Sequence, residues 1–195
     1  MFELPQSVVL EDIEYPIRNQ GDYRTILDCL LALGDEQLTK QERVFSALII
    51  FYDGINSIPD ILKFQDVGDA VRQMYRFINC GQDESPGAKV NYKLVDWERD
   101  SQLISSAVNT VAGKELRLEP YVHWWTFMGY YLAIGDSPFS NIVKIRSKRV
   151  KGEKLEKYER KFILENPQYF NWDARTVEQK EAEELIRQLW NNGEG

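Results

Sequence analysis

The 195-residue chain is long enough for one domain with a sizeable core, and its 43% hydrophobic and 12% aromatic content excludes disorder throughout. Two cysteines, one histidine and a net charge of -7 exclude a disulfide framework and a histidine-rich metal site, and they argue against general attraction to nucleic acid or anionic lipid. No apolar run approaches the roughly 18 to 20 residues that cross a bilayer, and no basic segment precedes an apolar one near the start, so a soluble protein of a reducing compartment is expected.

Residues 7–18, SVVLEDIEYPIR, set two short β-branched runs around Glu11 and Asp12, which predicts a small hairpin with Pro16 at an edge. From Asp22 the period changes to three and four through Tyr23, Ile26, Leu27, Leu30 and Leu31, a first helix stopped by Gly34. Thr39-Lys-Gln-Glu42 reads as a capping box, and the helix it opens carries Val44, Phe45, Leu48, Ile49 and Tyr52 on one face. Past Pro59, a third stripe of Val67, Ala70, Val71, Met74, Tyr75 and Ile78 ends at Gly81. Residues 81–91, GQDESPGAKVN, are the candidate hinge or loop. Residues 96–112 then align Leu103, Ile104, Ala107, Val108 and Val111 before Gly113.

Residues 121–134 are apolar on nearly every side, which predicts a helix buried all round, with Gly129 marking the close approach of a neighbour. Ser137-Pro138 starts a short helix over 139–146 that leads into a basic stretch. A further capping box at Thr176-Val-Glu-Gln179 opens a last helix bearing Ala182, Leu185, Ile186, Leu189 and Trp190, with a Glu-rich opposite face. The expected fold is mainly α, a helical bundle-like domain over 1–165 with a small N-terminal β-hairpin, followed by a C-terminal helical extension over 166–195.

The segment HWWTF holds the only histidine and two of the five tryptophans. As a general base His123 would need a nucleophile and an orienting partner, and no GxSxG, HExxH, P-loop or dinucleotide signature supplies them. No catalytic residue, cofactor or metal site is therefore assigned, and His123 reads as a structural or capping residue. Trp124 and Trp125 project about 100° apart on a helix, so they form no flat shelf and should anchor it against different layers. With Phe127 they make a structural core signature.

From Lys144 to Lys161 nine basic residues face three acidic ones, a local charge of +6 against -13 for the rest of the chain. Clustered cations near Tyr158 and Phe162 could bind nucleic acid or dock an acidic protein. The spacing of Glu153 with Lys157 and Glu156 with Arg160 instead suits a solvated helix. Candidate partner contacts are Lys144, Arg146, Lys148, Arg149 and Lys151 here, and Leu185, Ile186, Leu189 and Trp190 on the last helix.

Several features occur in a fixed order: Tyr15-Pro16-Ile17, Tyr23-Arg24, Asp96-x3-Asp100-x3-Ile104, Gly113-Lys-Glu-Leu116, His123-Trp124-Trp125-x-Phe127, then Ile142, Ile145-Arg146 and the basic stretch. This series, from about Ser7 to Tyr169, resembles the "gene product fifteen" family of tail-region proteins in siphophages and prophages of Gram-positive bacteria. The resemblance implies a role in tail assembly akin to the tail assembly chaperones, exerted in the host cytoplasm on the tape-measure or other tail proteins, with no enzymatic activity. A structural component of the tail or head-to-tail junction is the alternative, and a nucleic-acid-binding regulator the third reading. Sequence sets no oligomeric state.

Overall fold

The computed structural model describes residues 3–83 and 93–171. The remainder of the expected hinge and the last helix, with Thr176, Leu185, Ile186, Leu189 and Trp190, lie outside the described residues. Within them the fold is mainly helical, with a two-stranded antiparallel hairpin at the start.

Strands β1 (Ser7–Leu10) and β2 (Ile13–Pro16) pair with Val8 opposite Tyr15 and Leu10 opposite Ile13. Glu11 and Asp12 form the two-residue turn, both at positive φ, as the twist of a tight hairpin requires. The hairpin is tied to the helices by its exit: Ile17 bridges Tyr52, and the Asp53 amide donates to the Pro16 carbonyl at 2.9 Å. Arg18 completes that seam, its Nη2 donating to the carbonyls of Ile49, Tyr52 and Ile55 at the end of α2 (Lys40–Phe51). Carbonyls that a helix end leaves without an intrahelical partner are satisfied there by a cation, which also suits the helix dipole.

Helix α1 (Tyr23–Leu33) packs lengthwise on α2, whose capping box forms as the sequence indicates, with the Glu42 amide donating to Thr39 Oγ1 and the Thr39 amide to Glu42 Oε2. A one-turn helix α3 (Ile58–Ile61), not anticipated from the sequence, buries Ile61 and delivers the chain to α4 (Val67–Ile78). The Tyr52 hydroxyl donates to the Ala70 carbonyl at 2.8 Å, and burial pushes its pKa up. Helix α5 (Ser101–Ala112) ends on Gly113, whose φ of +69° suits glycine, and packs against both α6 (Trp124–Leu132) and α7 (Pro138–Val150). One large apolar cluster runs from Leu10 through Phe51, Met74 and Ile104 to Phe127 and Phe139.

A second, smaller cluster joins α7 to α8 (Lys157–Glu165) through Ile142, Ile145 and Phe170. Phe170 is only 1% exposed, so packing continues past the boundary expected at 165. Two further expectations are corrected. Helix α6 is not covered all round, because Leu132 is 75% exposed and no atom lies within 4 Å of a side chain built on Gly129. The helix expected over 139–146 runs on to Val150 and stops where Gly152 takes a left-handed φ of +68°, with the Glu153 amide reaching back to the Lys148 carbonyl. Glu153 therefore lies in a loop and Glu156 at the N-cap of α8, so neither sits in the continuous helix that their pairing with Lys157 and Arg160 presumed.

Candidate partner-binding groove

Two polar assemblies hold the helices that form the groove. The first is built on HWWTF. His123 is the N-cap of α6: its Nδ1 accepts the Trp125 amide at 3.0 Å, which leaves the proton on Nε2, 2.9 Å from the Pro5 carbonyl. With the side chain buried, desolvation pushes the imidazole pKa below its ordinary value. Both ring nitrogens are thus engaged inside the fold, as a capping role requires.

The two indole rings meet different neighbours, Trp97 and Phe127 for Trp124 and Phe77 and His123 for Trp125, yet their N–H groups converge on one helix end. Trp124 Nε1 donates to the Ile78 carbonyl at 2.8 Å and Trp125 Nε1 to the Phe77 carbonyl at 2.9 Å, so both clasp the end of α4. Successive carbonyls at a helix end also diverge around its axis, which lets diverging indoles meet neighbouring acceptors. Phe127 stacks on Trp124 on one side and on Tyr23 on the other, the latter at 4.7 Å between centroids and 5° between planes. Gly21 makes room for this centre, since a Cβ there would lie 2.8 Å from Phe77 Cζ.

Asp22 joins α1 to the same centre. Its carboxylate caps α1 through the Arg24 amide, accepts the Val122 amide at 3.0 Å and pairs with the Arg24 guanidinium at 3.0 Å. Arg24 lies over the Tyr23 ring, 4.6 Å from its centroid, and Nη2 continues to the Glu119 carbonyl at 2.7 Å.

The second assembly surrounds Arg146, which is 1% exposed and therefore not available as a partner contact. Its guanidinium forms a two-pronged pair with buried Asp100, at 2.6 and 2.9 Å, and donates to the carbonyls of Leu94 and Tyr169. All five N–H donors are used, which makes burial of the cation tolerable. Asp100 also accepts the Asp96 amide at 3.0 Å, so the motif Asp96-x3-Asp100 is the turn that seats Arg146.

Other basic residues are partly consumed as well. Lys148 pairs with Glu159 at 2.6 Å, a hydrogen bond that pulls the Glu159 pKa down and the Lys148 pKa up. Arg149 donates to the Phe170 carbonyl at 3.0 Å. Lys144, Arg149 and Lys151 remain exposed, but the cationic surface is thinner than the sequence suggested.

Between α1 and α5 opens a cleft of about 420 Å³. Leu27 and Leu31 form one wall, Trp97 and Ile104 the other, and the Tyr23–Phe127 stack closes the floor. Arg24, Asp28, Glu98 and Arg117 lie at its rim, and Leu31 is 42% exposed. Arg117 is steadied by Glu115 at 2.8 Å, whose pKa that hydrogen bond pulls down to about 2. Apolar walls within a charged rim suit the apolar stripe of a helix. Neither HWWTF nor the basic stretch lies at its centre, though Phe127 supplies part of the floor. The helical periodicities of Tyr23, Leu27 and Leu31 on one wall and of Ile104 on the other are the sequence signals for it.

The profile of the bacteriophage Gp15 protein family matches residues 2–170. The chain belongs to this family. The matched span takes in the hairpin, both polar assemblies and the cleft, and ends at buried Phe170. Family membership makes this a phage structural or morphogenesis protein and suggests interaction with other phage proteins. No curated protein and no solved structure matches the chain. Among the described residues no helix is long and apolar enough to cross a membrane, and no group of three or more histidine, cysteine or acidic side chains could hold a metal ion.

Proposed function

We propose that this family member is a chaperone-like tail assembly factor that acts in the host cytoplasm and takes an apolar helical stripe of the tape-measure protein into the α1–α5 groove. It does so without catalysing a reaction. The observation that carries the reading is the cleft itself: apolar walls from Leu27, Leu31, Trp97 and Ile104 in a protein of a phage family. A long helical chain that must stay soluble before tail subunits enclose it presents such stripes, and a groove that covers them stabilises the unassembled form by mass action. Charges at the rim would set orientation and encounter rate more than affinity.

Coexpression with the tape-measure protein of the same phage tests this. A soluble complex is expected, lost on Leu31→Glu while the variant stays folded. Unchanged tape-measure solubility with no co-purification would remove the reading. Mass spectrometry of purified particles separates the alternative, since an assembly factor should be absent and a tail or head-to-tail component present in stoichiometric amount.

A further inference from the structure

We propose that the α1–α5 groove selects a helix whose apolar stripe is bordered on both sides by lysine or arginine, and that Asp28 and Glu98 are the residues that read those cations. It rests on the groove taking a helix, as proposed above, and adds the charge pattern of the partner.

Among the described residues four ionic side chains line the cleft, two cations and two anions, and a count alone would make the rim neutral. The bonding says otherwise, because both cations are matched by carboxylates outside the lining. Arg24 turns Nη1 onto both oxygens of Asp22, at 3.1 and 3.0 Å, and donates from Nη2 to the Glu119 carbonyl at 2.7 Å. Arg117 gives Nε and Nη2 to the two oxygens of Glu115, each at 2.8 Å, while its Nη1 reaches Gln102 at 3.4 Å. A carboxylate held so closely fixes the guanidinium and cancels most of its field.

Asp28 and Glu98 have no such match. Both are exposed, and neither pairs with a cation among the described residues. Arg24 stands four positions before Asp28, a helical spacing that would allow a pair, yet its guanidinium is held by Asp22. Arg99, next to Glu98, sends Nη1 to the Asn171 carbonyl at 3.2 Å instead. Lys93 pairs with Asp96 at 2.9 Å and Lys114 with Glu119 at 3.2 Å. The groove is therefore left with uncompensated negative charge.

Placement turns this charge into a pattern. Asp28 follows Leu27 and stands three positions before Leu31 on the α1 wall, and Glu98 follows Trp97 on the opposite wall. Each apolar wall is thus edged by one acid, with the Tyr23–Phe127 stack between them. A helix that lays its apolar stripe on that floor brings one border of the stripe to each wall. Lysine or arginine at those borders can rest its stem on Leu31 or Trp97 and offer its head to the acid, whereas a border carboxylate would meet like charge. Exposed pairs add little raw affinity, but they discriminate between partners and steer encounter.

Two synthetic helices of about 18 residues test this on the full-length protein, alike in their leucine stripe and bordered by lysine in one and by glutamate in the other. Fluorescence anisotropy should show the lysine peptide bound about tenfold more tightly at about 0.05 M salt, and about 0.5 M salt should remove most of that difference. Asp28→Asn with Glu98→Gln should bring the two peptides to within about twofold of each other with the urea midpoint unchanged, since neither carboxylate holds another part of the fold. Leu31→Gln should weaken both peptides about fivefold, because it removes apolar wall without altering charge. Equal binding of the two peptides by the wild type, a preference that survives the double variant, or lysine-peptide binding unchanged in Leu31→Gln would each overturn the proposal. A dimer that excludes the lysine peptide in sedimentation would overturn it too, because a second copy would then be the occupant. Tape-measure binding that depends on Leu31 but not on Asp28 and Glu98 keeps the partner reading and sinks the charge pattern. Lysine-selective peptide binding that needs both acids, with no tape-measure binding, sinks that reading and keeps the pattern.

Discussion

The aromatic clasp and the Arg146 assembly do the same architectural job with opposite chemistry. Each joins segments far apart in sequence: Trp124 reaches Ile78 across 46 positions, and Arg146 reaches Asp100 across 46. The clasp buries carbon, and its two indole N–H groups bond the last carbonyls of α4: that of Ile78 directly from Trp124, and that of Phe77 from Trp125 in addition to the Cys80 amide. In the Arg146 assembly a cation and an anion are both withdrawn from water, and their attraction largely offsets their own desolvation. Removing one member should damage both, but only the second can be replaced by simpler chemistry.

Breaking the clasp should therefore have the largest irreparable effect. Trp124→Ala is expected to cost about 3 to 5 kcal/mol in urea unfolding, and Trp125→Ala less, because that side chain is only partly buried. Arg146→Ala should cost a similar ~3 to 5 kcal/mol by leaving the Asp100 carboxylate buried without its counter-ion. The double change Asp100→Leu with Arg146→Met should recover more than half of that loss, and a double variant no more stable than Arg146→Ala would show that the charge pair is itself the source of stability.

The cap of α6 gives a smaller and pH-dependent effect. His123→Ala should cost about 1 kcal/mol, while His123→Asn, which keeps an acceptor at the N-cap, should cost less. Burial lowers the folded imidazole pKa from 6.5, so between the two values the unfolded chain binds more protons than the folded one. The stabilising contribution is thus complete above pH 6.5 and declines as the pH falls below it. Urea midpoints compared at pH 7.5 and 5.5 should show a steeper fall in the wild type than in His123→Asn. Smallest is Gly129→Ala, which should raise stability by up to ~1 kcal/mol, since the position is helical and a methyl group meets nothing. A loss there would mean that the outer face of α6 is covered in the working protein.

What could be read from the sequence followed the range of the signal. The hairpin, the Thr39 capping box and the Ser137-Pro138 start are encoded within a few residues, and all appear where the spacing placed them. The family motifs were equally visible, yet nothing local says that Asp100 and Arg146 find each other, which made a buried ion pair look like part of a docking surface. Gly152 offered an unused sign: a glycine just after Lys148 and Arg149 is how a helix with a basic last turn commonly stops. Gly129 has no close neighbour, contrary to expectation, because an apolar sequence does not say which side its neighbours occupy. The groove is not legible in the sequence because it is a space between α1 and α5, and its wall residues look like ordinary core positions until both helices are in place.

The Asp22 carboxylate has a consequence for how the chain is made. Its partner amide on Val122 lies 100 residues further along, and the Tyr23 amide returns a bond to the Val122 carbonyl. As the chain emerges from the ribosome, α1, α2 and α4 can coil and collapse early, but the seam at Asp22 and the Ile78 carbonyl at the end of α4 stay open to water until residues 122–124 arrive. Such long-range closure slows folding, and the nascent N-terminal half keeps apolar surface open for the time needed to synthesise about forty more residues beyond Gln82.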